Sequence, residues 1–426
     1  MSIMTEYIEK FNLLIFILLT TLYLYQLVYI GAVLLGNRKK RRENARVSKH
    51  SRFGVIIAAR NESLVIGNLI ESIQNQSYPS ELVDIFVVAD NCTDQTAEVA
   101  RKSGAIVYER FNQYLVGKGY ALDYVFGKIA RQFGDSYYDA YLIFDADNLL
   151  DRNYIAEMNK VYNSGYNIIT SYRNSKNYGT NWITAGYSLW FLREAKYLNQ
   201  ARMMFRTNCA VSGTGFLLSS SIVRKYGGWK FHLLTEDIEF SIVNAIEGEK
   251  IGYCEKAVIY DEQPCTFSQS WNQRLRWSKG FYQVVWKYGR ELISGAFKGR
   301  DFSCYDMLMT IAPGTLVSLG CLGVNAIFLM MALLNASTLY HVAPVALKAI
   351  LFSFVNFYVL LFAIGMLTTI TEWKQIKCEG YKKILYVFTF PVFIFTYIPI
   401  SVVALFKEVK WTPITHSIVK SAEDMR

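Results

Sequence analysis

The chain has 426 residues, of which 52% are hydrophobic and 15% aromatic, an apolar load that suits a membrane protein better than a soluble enzyme. Its net charge of +10 gathers in Arg38, Lys39, Lys40, Arg41, Arg42, Arg46, Lys49 and Arg52, directly after an apolar run, which reads as a juxtamembrane block and not as a nucleic-acid groove. Seven cysteines stand singly, with no Cys-x-x-Cys and no histidine cluster, so neither a disulfide framework nor a zinc site is expected.

Residues 1–37 form a predicted anchor. Within them, 11–36 are almost wholly apolar, long enough to cross a hydrocarbon core of about 30 Å at about 1.5 Å per residue. Glu6 and Glu9 precede the run and the basic block, residues 38–52, follows it. That asymmetry predicts an uncleaved signal anchor with its amino terminus outside and the rest of the chain starting in the cytoplasm. Residues 53–279 then alternate short apolar runs with amphipathic stretches. A strand over 53–59 ends at Arg60-Asn61-Glu62-Ser63 and leads into a helix over 64–74. A second strand, 83–89, ends at Asp90-Asn91-Cys92-Thr93-Asp94 before a helix over 96–103; further strands fall at 105–108 and 141–144. Strand, polar tip and helix in repetition predict an α/β domain, a doubly wound and mostly parallel sheet whose ligand edge lies at the strand tips. No Gly-x-Gly-x-x-Gly opens a helix after the first strand, which disfavours a dinucleotide-binding domain.

Interfacial helices are expected over 280–306 and a membrane region over 307–406. Residues 307–334 and 345–370 each suffice to span, around an uncharged loop at 335–344, and 371–383 carry four lysines and return to the cytoplasm. Pro391 and Pro399 interrupt 384–406, and lysines flank both ends. A broken, re-entrant or interfacial segment is preferred there over one crossing, returning residues 411–416 of the 407–426 tail to the cytoplasm.

Four constellations carry chemistry. The apolar run 141–144 ends in Asp145-Ala-Asp147, and a strand's period of two sends both carboxylates into one crevice. They repel each other, and a hard divalent cation shared with a diphosphate removes the repulsion; an Asx-rich turn would account for the same residues. Residues 212–216 form a small-residue turn before an apolar run. Thr235-Glu236-Asp237 opens the amphipathic stretch 238–245. Gln273-Arg274-Leu275-Arg276-Trp277 lies on a helix entering the membrane.

The set Asp90, Asp145-Ala-Asp147, Thr235-Glu236-Asp237 and Gln273-x-x-Arg276-Trp277, in this order between apolar segments, resembles the membrane-embedded family 2 glycosyltransferases. These comprise cellulose, chitin and hyaluronan synthases and membrane glucosyltransferases acting on lipids. The resemblance covers residues 53–279 and implies a nucleotide-sugar-binding fold of the A type. It implies that Asp90 holds the uracil and ribose of a UDP-sugar, helped by Asn61 and Glu62, with Lys118 near the diphosphate. By the same resemblance Asp145 and Asp147 bind Mg²⁺ or Mn²⁺, and Asp237 is the general base, with Glu236 beside it in the substrate site. Gln273 belongs to the substrate motif, Arg276 steadies the leaving group, and Trp277 underlies the acceptor sugar together with the turn of Gly213 and Thr214. Plainer roles compete for each: an Asx turn for Asp90, a solvated loop for Lys118, a first-turn acid for Asp237 and an interface aromatic for Trp277.

Some features depart from the family. Ala58-Ala59-Arg60 stands where many relatives have Pro-x-Tyr, Arg274 has no counterpart in the motif, and nothing after the spans matches the gating loop of cellulose synthases. No cyclic-dinucleotide-binding barrel follows. The resemblance implies an inverting, processive enzyme in the plasma membrane, with its catalytic domain cytoplasmic, elongating a β-linked polysaccharide such as a β-glucan from UDP-glucose or UDP-N-acetylglucosamine. Its partners would be donor, growing polymer and bilayer, without nucleic acid. The alternative is a single transfer to a membrane lipid.

Overall fold

The computed structural model describes residues 3–36, 49–298 and 302–425, apart from 312, 334, 335, 413, 415 and 417. Most of the basic block therefore lies outside the described residues. Helices α1 (Ile3–Tyr23) and α2 (Tyr25–Gly36) form the amino-terminal apolar arm. The domain that follows comprises β1 (Phe53–Ala59), α3 (Ile66–Gln74), β2 (Val83–Asp90), α4 (Thr96–Lys102), β3 (Ile106–Arg110), α5 (Lys118–Phe133), β4 (Ala140–Asp145), β5 (Leu149–Leu150), α6 (Tyr154–Asn163) and β6 (Ile168–Ser175). It continues through α7 (Trp182–Arg193), a π-helical turn Glu194–Asn199, α8 (Gln200–Phe205), β7 (Phe216–Ser219), α9 (Ser220–Tyr226), α10 (Glu236–Glu247), β8 (Ile251–Asp261) and α11 (Phe267–Phe297). Last come α12 (Ser303–Ile311), α13 (Pro313–Leu333), α14 (Ala336–Thr371), α15 (Gly380–Phe395) and α16 (Tyr397–Phe406).

The eight strands make one mixed sheet in the order β3-β2-β1-β4-β7-β6-β8-β5. The first four are parallel, and β2, β1 and β4 read as apolar runs because both faces are covered. Alternate residues feed two cores: Ile57 and Phe144 pack with Tyr154 on one face, Ile56 and Ile143 with Phe86, Phe216 and Trp229 on the other. Register aligns the tips, Ala58 with Asp145, Ala59 with Ala89 and Asp90 with Arg110. β7 runs antiparallel to β4, with Phe216 opposite Ile143, so the turn leading into it arrives at the same edge as Asp145. One edge of the sheet thus collects four polar tips from distant parts of the sequence.

The membrane expectations need revision in two places. The first part of 307–334 belongs to a protein core: Met307 and Ile311 of α12 are buried with Ala210, Ile242 and Val284. Where a loop was expected over 335–344, α14 is already helical from Ala336 and carries Pro344 inside it, since hydrogen bonding within a helix is the cheapest way to satisfy backbone beside lipid. Among the described residues, Thr5–Gly36, Val342–Thr371 and Gly380–Phe406 are long and apolar enough to cross a membrane. The last departs from a simple crossing. Before it, Tyr172 donates to Glu372 at 2.5 Å and Asn174 to the Gln375 carbonyl at 2.9 Å; after it, Arg60 lies 5.2 Å over the Trp411 ring. Both ends of the α15–α16 pair therefore meet the same domain. On α11, Trp286 (93% exposed), Ile293 and Phe297 (87% exposed) share one outward face at helical spacing, where bilayer-facing aromatics belong.

Candidate active site

Asp145 ends β4 and Asp147 follows in a tight turn held by side chains. Thr214 Oγ1 accepts from the Asp145 amide at 2.9 Å and donates to Asn148 Oδ1, whose own amide donates to Asp147 at 3.3 Å. Asp147, only 5% exposed, also accepts from the Glu262 amide at 2.8 Å. Burial by itself would raise its carboxyl, but His416, Lys176, the Glu262 N–H and Arg173 outweigh that and hold it below the usual range. The turn before β7 needs both its glycines. Gly213 and Gly215 have φ of +79° and +65°, and a Cβ at Gly215 would lie 2.6 Å from Ile259 and from Ser171 Oγ.

Asp145, Asp147, Gly213, Glu262 and His416 border one cavity of about 280 Å³. At one end it meets Arg60, Glu62, Asp90, Lys118, Asp145 and Asp147, and further in Gly213, Glu236, Asp237, Gln273, Arg276 and Trp277. Lys118 Nζ donates to Asp145 and, at 2.7 Å, to the Gly213 carbonyl, so it spans the aspartate and the turn. Asp90 is buried and paired with Arg110 at 2.5 Å, which fixes its carboxylate at the tip of β2. Gln273 Oε1 and Arg60 Nη1 are buried without a partner among the described residues, an acceptor and a donor left for a ligand.

Two predicted residues stand outside this lining. Asn61, at φ +58°, turns its Oδ1 to the Thr93 amide at 2.8 Å and braces the loop after β2, while its neighbour Arg60 reaches the cavity instead. Thr214 is buried beneath the cavity and acts on Asp145 through the backbone. Arg274, whose fork could have suited a diphosphate, is 200° round the helix from Arg276. It is fully buried, donates to Thr396 Oγ1 at 2.6 Å and to the Phe393 carbonyl at 3.1 Å, and fastens α11 to the α15–α16 junction.

Asp237 and Glu236 open α10 side by side, half-buried at the cavity wall. Burial is the largest influence on both, raising Asp237 above the ordinary carboxylate range; with the added charge of Asp237, Glu236 is pushed up to about 7. Arg276 and Lys118 oppose the rise in each. Asp237 and Glu236 are thus neighbouring carboxyls that are both more basic than usual, and a carboxylate so raised at the cavity wall suits a proton acceptor. Arg276 itself donates to the Leu234 carbonyl at 2.6 Å. Replacing Arg276 with Gln removes a positive charge from this pair, so Asp237 will pick up its proton at higher pH. The acid limb of the kcat profile, followed by nucleoside diphosphate release, is expected to move to higher pH than in wild type; an unmoved limb would separate Arg276 from the base.

Trp277 meets Tyr187 and Phe191 edge-on, at centroid distances of 5.7 and 6.2 Å, and borders the cavity between them. The tail is what the sequence concealed. Trp411, Thr412, Ile414 and His416 border the cavity, and His416 Nδ1 lies 2.9 Å from Glu62 while its Nε2 lies 3.9 Å from Asp147. Burial would lower the His416 pKa, but the two carboxylates lift it to about 10, so the ring is a cation in this position. Only the lone histidine in a polar stretch after an apolar run hinted at it. Arg173 and Asp261 were likewise missed: they pair tightly, and Arg173 donates to the Ser212 carbonyl at 2.8 Å, supporting the turn from below.

The described chain resembles known proteins in fold and sequence. A mannosyltransferase from Pyrobaculum calidifontis, solved in complex with GDP-Man and Mn²⁺, superposes with a TM-score of 0.53 at 17% identity, over 93% of this chain and 99% of that one. A probable glycosyltransferase, YdaM, from Bacillus subtilis (strain 168) is 25% identical over 316 residues, 69% of each chain. A β-monoglucosyldiacylglycerol synthase from Synechocystis sp. (strain ATCC 27184 / PCC 6803 / Kazusa) is 24% identical over 272 residues, 61% of this chain and only 54% of that protein. The sequence profile described as glycosyltransferase like family 2 matches residues 50–280, more than half the chain and the whole sheet with its aspartate tips, so the chain belongs to that family of glycosyltransferases.

Proposed function

We propose that this enzyme transfers one hexose from a UDP-sugar, in the first instance UDP-glucose, to the hydroxyl of a membrane lipid, with inversion at the anomeric carbon. The observation that carries the lipid acceptor is the position of the base. Asp237 shares its cavity with Trp190, Leu198 and Phe281, and Leu198 packs on Tyr29 and Val33 of α2, so the base opens toward the amino-terminal apolar arm. The name of the synthase relatives, which glucosylate diacylglycerol, supports the same choice over the polysaccharide expected from the motifs. The catalytic domain and the returning tail are read as lying together on the cytoplasmic face.

Asp90, Arg60 and Glu62 border the nucleotide end of the cavity, and Lys118 and Arg276 supply positive charge to the diphosphate. Asp145 and Asp147 suit Mg²⁺ or Mn²⁺: two carboxylates at one edge, already drawing Lys118 and His416 toward them, leave the remaining ligands to diphosphate oxygens and water. A bound cation there would neutralise charge on the departing diphosphate. In the transfer the acceptor oxygen forms a bond to the anomeric carbon while the bond from that carbon to the diphosphate oxygen breaks, its electron pair leaving with UDP. The acceptor's proton goes to Asp237. One displacement inverts the centre and needs no second carboxylate as nucleophile.

Purified enzyme incubated with UDP-[¹⁴C]glucose, Mn²⁺ and dioleoylglycerol vesicles is expected to yield chloroform-soluble label carrying a single hexose at all times. Label that grows in size and stays in the aqueous or insoluble fraction would reject this reading in favour of a polymer.

A further inference from the structure

Trp190 and Arg193 of α7, Glu194 and Leu198 of the π-helical turn, Phe281 of α11 and Thr310 of α12 border the same cavity as Asp237, and this stretch of its wall forms an arm of the site. It begins at the base: a Cβ at Gly213 would lie 3.6 Å from Asp237 Oδ2, and the adjacent Ser212 donates to Glu194 Oε1 at 2.6 Å. It ends at the amino-terminal apolar arm, where Arg193 Nη2 donates to Gln26 Oε1 of α2 at 2.8 Å. α2 closes the outer side by packing Tyr29 and Val33 on Tyr197, Leu198 and Ala201.

The charges in this arm can be counted. Arg202, which also borders it, is neutralised by two 2.8 Å bonds to Asp306, and Arg173 by Asp261. Arg193 has no ion-pair partner among the described residues; it keeps Gln26 and the Trp190 face, 5.2 Å away. The carboxylate of Glu194, next in sequence, is the strongest charge acting on it. The arm is therefore neutral in sum, with guanidinium donors facing an otherwise apolar lining of Trp190, Leu198 and Phe281. A phosphate would meet Glu194 as well as Arg193, whereas ester carbonyls can accept from the guanidinium without bringing charge. The wall is also built unusually. The helix through α7 and α8 widens to π geometry at Glu194–Asn199, the stretch that carries Glu194 and Leu198 of the cavity wall, and such distortions are frequent at functional sites.

We propose that this arm is the acceptor subsite, taking the uncharged glycerol-ester headgroup of a diacylglycerol-class lipid that enters beside α2. Arg193 holds the ester carbonyls so that the free hydroxyl lies at Asp237, and Glu194 excludes lipids with a phosphate at that position. The proposal rests on the lipid-acceptor reading and adds where the lipid sits and why it must be neutral.

Full-length enzyme in mixed micelles tests it. Arg193→Met is expected to raise the KM for dioleoylglycerol about tenfold with the KM for UDP-glucose unchanged, and Glu194→Gln to tighten inhibition by dioleoyl phosphatidic acid at least fivefold. Equal acceptor KM in wild type and Arg193→Met, or unchanged inhibition in Glu194→Gln, would overturn it. A photoactivatable diazirine dioleoylglycerol gives a readout free of turnover. Label on peptides containing Trp190 to Arg202 or Phe281 supports the subsite; label confined to α13 and α14 rejects it. Wild-type enzyme that transfers no hexose to lipid yet is labelled in the arm would sink the transfer reading alone. Transfer that persists with label elsewhere would sink the subsite alone.

Discussion

Asp237→Asn is expected to lower kcat about 10³-fold, the middle of the range a positioned base supplies, equal to roughly 4 kcal/mol of barrier. UDP affinity should change by less than about twofold, since the substitution keeps the shape and Asp237 lies away from the nucleotide end. The amide cannot take the acceptor's proton. It also removes the charge that pushes Glu236 up, so Glu236 will ionise at lower pH in the variant than in wild type. A carboxylate one residue away can support a residual rate, and Glu236→Gln in the Asp237→Asn background should abolish it. Steady-state kinetics and calorimetric UDP titration measure the two quantities separately. If UDP affinity fell in step with the rate, Asp237 would be a nucleotide ligand and not the base.

The second large effect belongs to Asp147→Asn. In wild type, Mn²⁺ should strengthen UDP binding; in the variant that gain should vanish and transfer should fall at least about 100-fold, because one carboxylate holds a shared cation poorly. The change also reaches the tail. His416 owes its raised pKa first to Asp147 and then to Glu62, so the variant's His416 should lose its proton at lower pH, a shift visible in its NMR titration. Titrating UDP with and without Mn²⁺ on both proteins checks the first part. Wild-type activity at full rate in excess chelator would remove the metal from the account.

What the sequence disclosed follows from local rules. Strands buried on both faces announce themselves as apolar runs, and their polar tips therefore located Asp90, Asp145 and Asp147 at one edge. Even the third strand was short by only two residues, and those two include Arg110, the partner of Asp90. What stayed hidden depends on contacts between distant segments. Arg60 and Asn61 are neighbours of similar polarity, and which one faces the cavity depends on the Thr93 amide donating to Asn61 and on Trp411 lying over Arg60. Helical phase separates Arg274 from Arg276, but it does not say that Thr396 awaits one of them. Met307 and Ile311 were assigned to lipid because apolar composition is the same for a bilayer and for a protein core; only their burial against Ile242 and Val284 tells the two apart.

The position of His416 sets an order of assembly. Glu62 and Asp147 are synthesised early, whereas His416 follows four apolar helices that must be made first. Until then the two carboxylates face each other without the imidazolium between them. Synthesis therefore delivers every strand of the sheet before it delivers the residue that joins Glu62 to Asp147.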